Sequence, residues 1–143
     1  ERVAVFNAMD RNSLSADSGR LVFEQNCGVC HKHGTSGVGP QLAGIGSNGV
    51  VAIMEKIIDP NRNVSPAFRN YSIVLKDGTR KTGVYRRDEG AARVYADITG
   101  KEFSVKRSDL AEEKMLQSTI MPANFSSSIP EREFYNLVNY LLN

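Results

Sequence analysis

The chain has 143 residues, a formal net charge of +2, 41% hydrophobic and 24% charged residues, and two cysteines. Those proportions belong to one globular domain, or one domain with an insertion, and exclude wholesale disorder and collagen-like or low-complexity chains. No run approaches the ~18 apolar residues needed to cross a bilayer, so a soluble chain without a membrane span is expected.

Residues 1–14 show no sustained period and end in polar residues, which suits a lead-in or linker stub. The chain opens on Glu1 with no basic segment and apolar run before it, so any signal peptide is expected to have been removed or left out. Ser15 can cap a helix over 16–26, with Gly19, Leu21, Val22 and Phe23 on its apolar face. Residues 34–49 then hold six glycines, from Gly34 to Gly49, and Pro40. That density breaks helix and strand alike and predicts a loop that hugs something. Val50, Ile53, Met54, Ile57 and Ile58 recur at helical spacing, and Asp59-Pro60 ends that second helix.

Between residues 70 and 107 the period shortens. Segments around Tyr71 to Leu75, Thr82 to Tyr85, Arg93 to Ile98 and Glu102 to Val105 are separated by Asp77-Gly78, Asp88-Glu89-Gly90 and Thr99-Gly100, which reads as an antiparallel meander. A helix is expected from Ser108 to about Gln117, then an irregular stretch to Ser127. Ser128-Ile129-Pro130-Glu131 reads as a capping box before a C-terminal helix carrying Phe134, Leu137, Val138 and Leu141.

Cys27-Gly28-Val29-Cys30-His31 is the motif that carries chemistry. Two cysteines this close would close a loop too small to constrain the unfolded chain, so a stabilising disulfide is a poor reading. C-x-x-C-H is the sequence of c-type haem attachment. Two thiols three residues apart can each add to a vinyl group of one porphyrin, and the adjacent histidine is then carried beneath the iron. A dithiol redox pair, or a zinc site completed by His31 and His33, are the competing readings. Four zinc ligands within seven residues would be cramped, and the βαβ setting of a thioredoxin-type dithiol is missing.

Pro40 lies nine residues after His31. Its carbonyl could accept the second ring N–H of the histidine and fix its orientation, or Gly39-Pro40 could be only a rigid turn. For the opposite axial position the sequence offers Met9, Met54, Met115, Met121 and His33. Met54 sits on a helix face as core filler, Met9 is in the lead-in, His33 is too near His31, and Met115 is expected in a helix among charges. Met121 precedes Pro122, which biases it towards an extended conformation from which its thioether could enter a crevice. Sulfur opposite imidazole raises the potential, as suits an electron carrier.

Together, Gly19, Phe23, Cys27-Gly28-Val29-Cys30-His31, Gly39-Pro40-Gln41-Leu42, Ser118-Thr119-Ile120-Met121-Pro122 and Leu137-Val138-Asn139-Tyr140-Leu141 resemble class I cytochrome c over about 15–66 and 108–143. The resemblance implies that the first and last helices cross at Gly19, Phe23 and Tyr140. It departs in the middle, where ninety positions separate His31 from Met121, far more than in a compact member. Ile57-Ile58-Asp59-Pro60-Asn61, a strand-rich insert and then Met-Pro look like the haem-binding domains attached to membrane-bound, sugar or alcohol dehydrogenases of planctomycete-type bacteria.

The resulting expectation is a mainly α, cytochrome c-like helical fold over 15–143 around one covalent haem (heme c), with an inserted β-meander at about 70–107. Cys27, Cys30, His31, Pro40 and Met121 would bind the cofactor, with His31 and Met121 on the metal. The function expected is one-electron transfer to or from a redox protein or attached dehydrogenase domain, in the periplasm or otherwise exported, with no catalytic residues. The rivals are a haem enzyme or gas sensor with a labile distal methionine, peroxidase-like, and a haem-free dithiol or zinc protein. Residues 61–107 hold eleven Lys or Arg against five Asp or Glu. Arg80, Lys81, Arg86 and Arg87 could steer an acidic redox partner, or belong to a solvated sheet face. No nucleic-acid motif accompanies them.

Overall fold

The computed structural model describes residues 1–31 and 37–143. His33 and Gly34 lie outside the described residues. The opening segment forms α1 (Arg2–Ala8), whose Phe6 is fully buried against Tyr135, with ring centroids 6.1 Å apart. A single inward residue in a seven-residue helix leaves no repeating pattern, which is why sequence periodicity is silent there.

Helix α2 (Ala16–Asn26) begins where expected, with Ser15 Oγ accepting the Ser18 N–H at 3.1 Å. Its inward face is Gly19, Val22 and Phe23, whereas Leu21 is 48% exposed. A 3-10 turn (Ile45–Asn48) leads into α3 (Gly49–Ile58), which buries Ile53, Met54 and Ile57 and stops at Asp59. After the short α4 (Phe125–Ser128) comes α5 (Glu131–Leu142), whose buried face includes Phe134, Leu137 and Val138. The expected capping box does not form. Ser128 closes α4, α5 starts behind Pro130 without a side-chain cap, and Glu131 instead accepts the Tyr135 hydroxyl at 2.6 Å.

α2 and α5 cross with backbones nearly touching. A Cβ at Gly19 would lie 2.2 Å from Asn136 O, and the rings of Phe23 and Tyr140 meet at a tilt beside the crossing with centroids 5.7 Å apart. Ser15 N–H donates to Asn136 Oδ1 at 3.0 Å, so a buried amide ties the start of one helix to the middle of the other.

The expectation of a mainly helical fold is overturned. Among the described residues helix accounts for 41% and strand for 27%, the strands forming one five-stranded antiparallel sheet. It comprises β1 (Arg69–Leu75), β2 (Arg80–Glu89), β3 (Ala92–Ala96), β4 (Glu102–Lys106) and β5 (Leu110–Thr119), in the order β4-β3-β2-β1-β5. The first four are the meander. The fifth replaces the helix expected from Ser108 to Gln117 and brings Met115 onto a strand.

Leu110-Ala111-Glu112-Glu113-Lys114-Met115-Leu116-Gln117 is made of good helix formers, but β1 would otherwise end the sheet with unpaired backbone groups. β5 pairs along it, Ile73 opposite Glu113 and Tyr71 opposite Met115. Glu113 then accepts the buried Tyr95 hydroxyl at 2.8 Å and pairs with Arg93 at 2.9 Å. Tertiary pairing overrides local propensity.

The sheet has two apolar faces. Ile73, Tyr95 and Val105 form a small core of their own on one, capped by Tyr71, Tyr85 and Phe103. On the other, paired Val84 and Ala96 pack with Val38, Cys30 and Ile120. The sheet therefore leans on both the cysteine segment and the segment before Met121.

Gly19→Ala is expected to force the α2–α5 crossing apart and cost about 1–3 kcal/mol, the usual penalty for overpacking. Denaturant unfolding should show a lower midpoint with an unchanged slope.

Candidate functional site

The last turn of α2 delivers the cysteine motif. Cys27 N–H and Gly28 N–H both donate to Phe23 O at 2.8 Å, and Cys30 N–H and His31 N–H fold back on Cys27 O at 3.0 and 2.9 Å. The helix thus tightens into a turn that places both thiols and the imidazole on one wall of a cavity of about 440 Å³.

The loop that carries Gly39 and Pro40 closes over the imidazole. Gly39 N–H donates to Cys30 O at 2.9 Å, and His31 Nδ1 lies 2.8 Å from Pro40 O. A carbonyl can only accept, so this bond requires the proton on Nδ1 and leaves the Nε2 lone pair available to a metal. The ring lies flat on Gly39, where a Cβ would meet Cε1 at 2.7 Å and Nδ1 at 2.9 Å. Gly39 is therefore present for close approach, and Pro40 supplies the acceptor.

The structure brings Cys27, Cys30, His31, Pro40 and Met121 together on the same cavity. Met121 arrives from the bend after β5, with Ile120 and Pro122 beside it. The other methionines go elsewhere: Met54 is 1% exposed in the helical core, Met9 packs at its edge, and Met115 is 43% exposed on β5. Among the described lining residues the remaining surface is mostly apolar, with Phe23, Leu42, Ile53, Ile57 and Leu141 from the helical half, Phe68 from the turn before β1 and Val84 from the sheet. Lys56 is the one Lys, Arg, Asp or Glu among them. A size within the range of cofactor pockets, two thiols, an imidazole nitrogen, a thioether and a wall without carboxylates fit a c-type haem.

The surroundings of the two thiols weaken the reading of a reactive dithiol pair. Both cysteines are free, and burial, with the neighbouring Cys30, pushes the Cys27 thiol up to about 11, while burial also raises Cys30. Reactive dithiols need the opposite, a lowered thiol pKa. Among the described residues no three His, Cys, Asp or Glu side chains gather to hold a metal ion, and His33 of the zinc reading lies outside them.

Residues 14–77 match the sequence model of the family described as cytochrome C oxidase, cbb3-type, subunit III. This stretch contains the cysteine motif, the Gly39-Pro40 loop and α3, and the match supports a cytochrome c haem-binding domain, for which haem-mediated electron transfer is the implied function. No curated protein matches the chain. Among the described residues no helix is long and apolar enough to cross a membrane.

The sheet's contribution was missed in the sequence. Alternation marks Val84 as inward-facing but cannot say what it faces, and it lines the cavity. Arg86, read with the basic patch, donates from Nη2 to Gly37 O at 3.0 Å and so ties β2 to the loop over His31. Arg87 is forked onto Glu102 at 2.9 and 2.8 Å and also pairs with Glu89, and Lys81 lies over the Phe103 ring. Much of the basic balance is thus engaged within the sheet.

Gly39→Ala is expected to push the imidazole off the loop and break the His31–Pro40 bond. Proton NMR should show an Nδ1–H resonance of His31 protected from exchange in the parent protein and lost in the variant.

Proposed function

We propose that this chain is a one-electron carrier built on a single covalently attached c-type haem with His31 and Met121 as axial ligands. The observation that supports this best is the convergence of Cys27, Cys30, His31 and Met121, drawn from segments ninety residues apart, on one apolar cavity. When bound, such a group supplies a ferric–ferrous couple.

In this reading Cys27 and Cys30 hold the ring as thioethers. His31 ligates through Nε2, with Pro40 O fixing the ring's rotation and increasing its electron donation. Met121 supplies a soft sulfur that favours the reduced state, and the aliphatic wall excludes water, which also favours the less charged iron. With both axial positions filled by protein there is no open coordination site, so the chain acts as a carrier and not as a catalyst.

Covalent attachment of this kind places the protein outside the cytoplasm, in the periplasm or otherwise exported. The partner is a redox protein or an attached dehydrogenase domain, as the resemblance to planctomycete-type dehydrogenase modules implies. Arg80 and Lys81, both exposed, are the members of the basic group best placed to steer an acidic surface.

A pyridine haemochrome with the blue-shifted band of saturated vinyl groups is expected, with no carbon monoxide uptake and only slow cyanide uptake by the parent protein. Met121→Ala should take up both ligands readily and lower the midpoint potential by a sizeable part of the ~0.8 V span that axial ligands command. Ready ligand uptake by the parent would instead establish the enzyme or sensor reading, and absence of the haemochrome the haem-free one.

A further inference from the structure

Asn61 sits in the turn that follows α3, and its exposed side chain reaches the end of β5. Its Oδ1 accepts the backbone N–H of Thr119 at 2.9 Å, a bond between residues 58 positions apart. Thr119 is the last residue of β5, and Met121 follows two positions later. Both segments line the cavity, one through Pro60 and Asn63, the other through Thr119, Ile120 and Met121.

The Asn61 turn is itself held firmly to α3. Lys56 Nζ donates to Arg62 O at 2.6 Å and to Asn63 O at 3.3 Å, Arg62 pairs with Glu55 at 3.1 Å, and Asn63 takes a left-handed φ of 54° that turns the chain back. α3 is anchored in turn by buried Ile53, Met54 and Ile57. The Asn61 amide thus transmits the position of the helical core to the end of a strand.

The strand end needs such a tie, because the β1–β5 pairing is irregular there. The register shifts between Arg69 and Tyr71, next to the Arg69–Thr119 pair, and such an irregularity loosens the ladder locally. We infer that Asn61 is a positioning residue for Met121, holding the Thr119 to Pro122 segment against the cavity so that the thioether stays at its axial position. This rests on the His31/Met121 reading above.

The haem-loaded parent protein is compared with Asn61→Ala, Asn61→Ser, whose side chain is too short to reach, and Asn61→Asp, which retains an acceptor oxygen. Asp77→Ala is the control. It removes a comparable exposed side-chain acceptor, that of Thr79 N–H at 2.8 Å, from the β1–β2 turn. The readouts are the red-edge sulfur-to-iron band of the ferric form and the rate of cyanide uptake, which is limited by departure of the methionine.

Asn61→Ala and Asn61→Ser should weaken the band and speed cyanide uptake roughly two- to tenfold, the factor that one net hydrogen bond supports. Asn61→Asp should stay near the parent, and Asp77→Ala should leave both readouts unchanged. Parent-like behaviour of Asn61→Ala and Asn61→Ser, or equal effects of Asn61→Ala and Asp77→Ala, would overturn the inference while leaving the ligation intact. A parent protein that lacks the band would instead overturn the ligation, and the role of Asn61 with it.

Discussion

His31 and Met121 line one cavity although they stand ninety positions apart in the chain, and most of the molecule's architecture serves that convergence. On the histidine side the solution is local. The end of α2 turns sharply through Cys27 to His31, and the Gly39-Pro40 loop returns to clamp the ring. A single hydrogen bond to Pro40 O is worth only about 0.5–1.5 kcal/mol net. Its importance is directional, since it decides which ring nitrogen carries the proton and which is left to a metal.

On the methionine side nothing local suffices. Met121 lies in an irregular bend, and its place is set by what comes before it: β5 pairs along β1, β1 along β2, and β2 reaches the histidine loop through Arg86 and Val84. The sheet is therefore more than an ornament inserted into a helical protein. It runs mechanically from the loop over His31 to the residue before Ile120, and its Val84 and Ala96 pack with Cys30 and Ile120 at once. The crossing of α2 and α5 at Gly19 closes the other side, and the Asn61 bond fastens the strand end to the helical core.

How much of this was legible in the sequence depended on whether the signal was local. The Ser15 cap, the end of α3 at Asp59-Pro60 and the turns at Gly78, Gly90 and Gly100 are written in a few adjacent residues, and the structure has them. The packing of Phe6 and the strand conformation of residues 110–119 are not, because each depends on a partner distant in the chain. The same holds in the site. Cysteine spacing and the Gly39-Pro40 pair stand out by themselves, whereas Val84, Arg86 and Asn61 acquire meaning only once the sheet is placed beside the loop and helix they touch. The capping box failed because Glu131 had a better use, accepting the Tyr135 hydroxyl.

X-ray absorption at the iron edge of the oxidised, haem-loaded protein reads the coordination shell without a competing ligand and so distinguishes His31/Met121 ligation from its alternatives. His31/Met121 ligation gives one sulfur neighbour beside the porphyrin and imidazole nitrogens, lost in Met121→Ala and retained in Met115→Ala. A shell of nitrogen and oxygen alone, or a sulfur contribution that survives Met121→Ala, would contradict it.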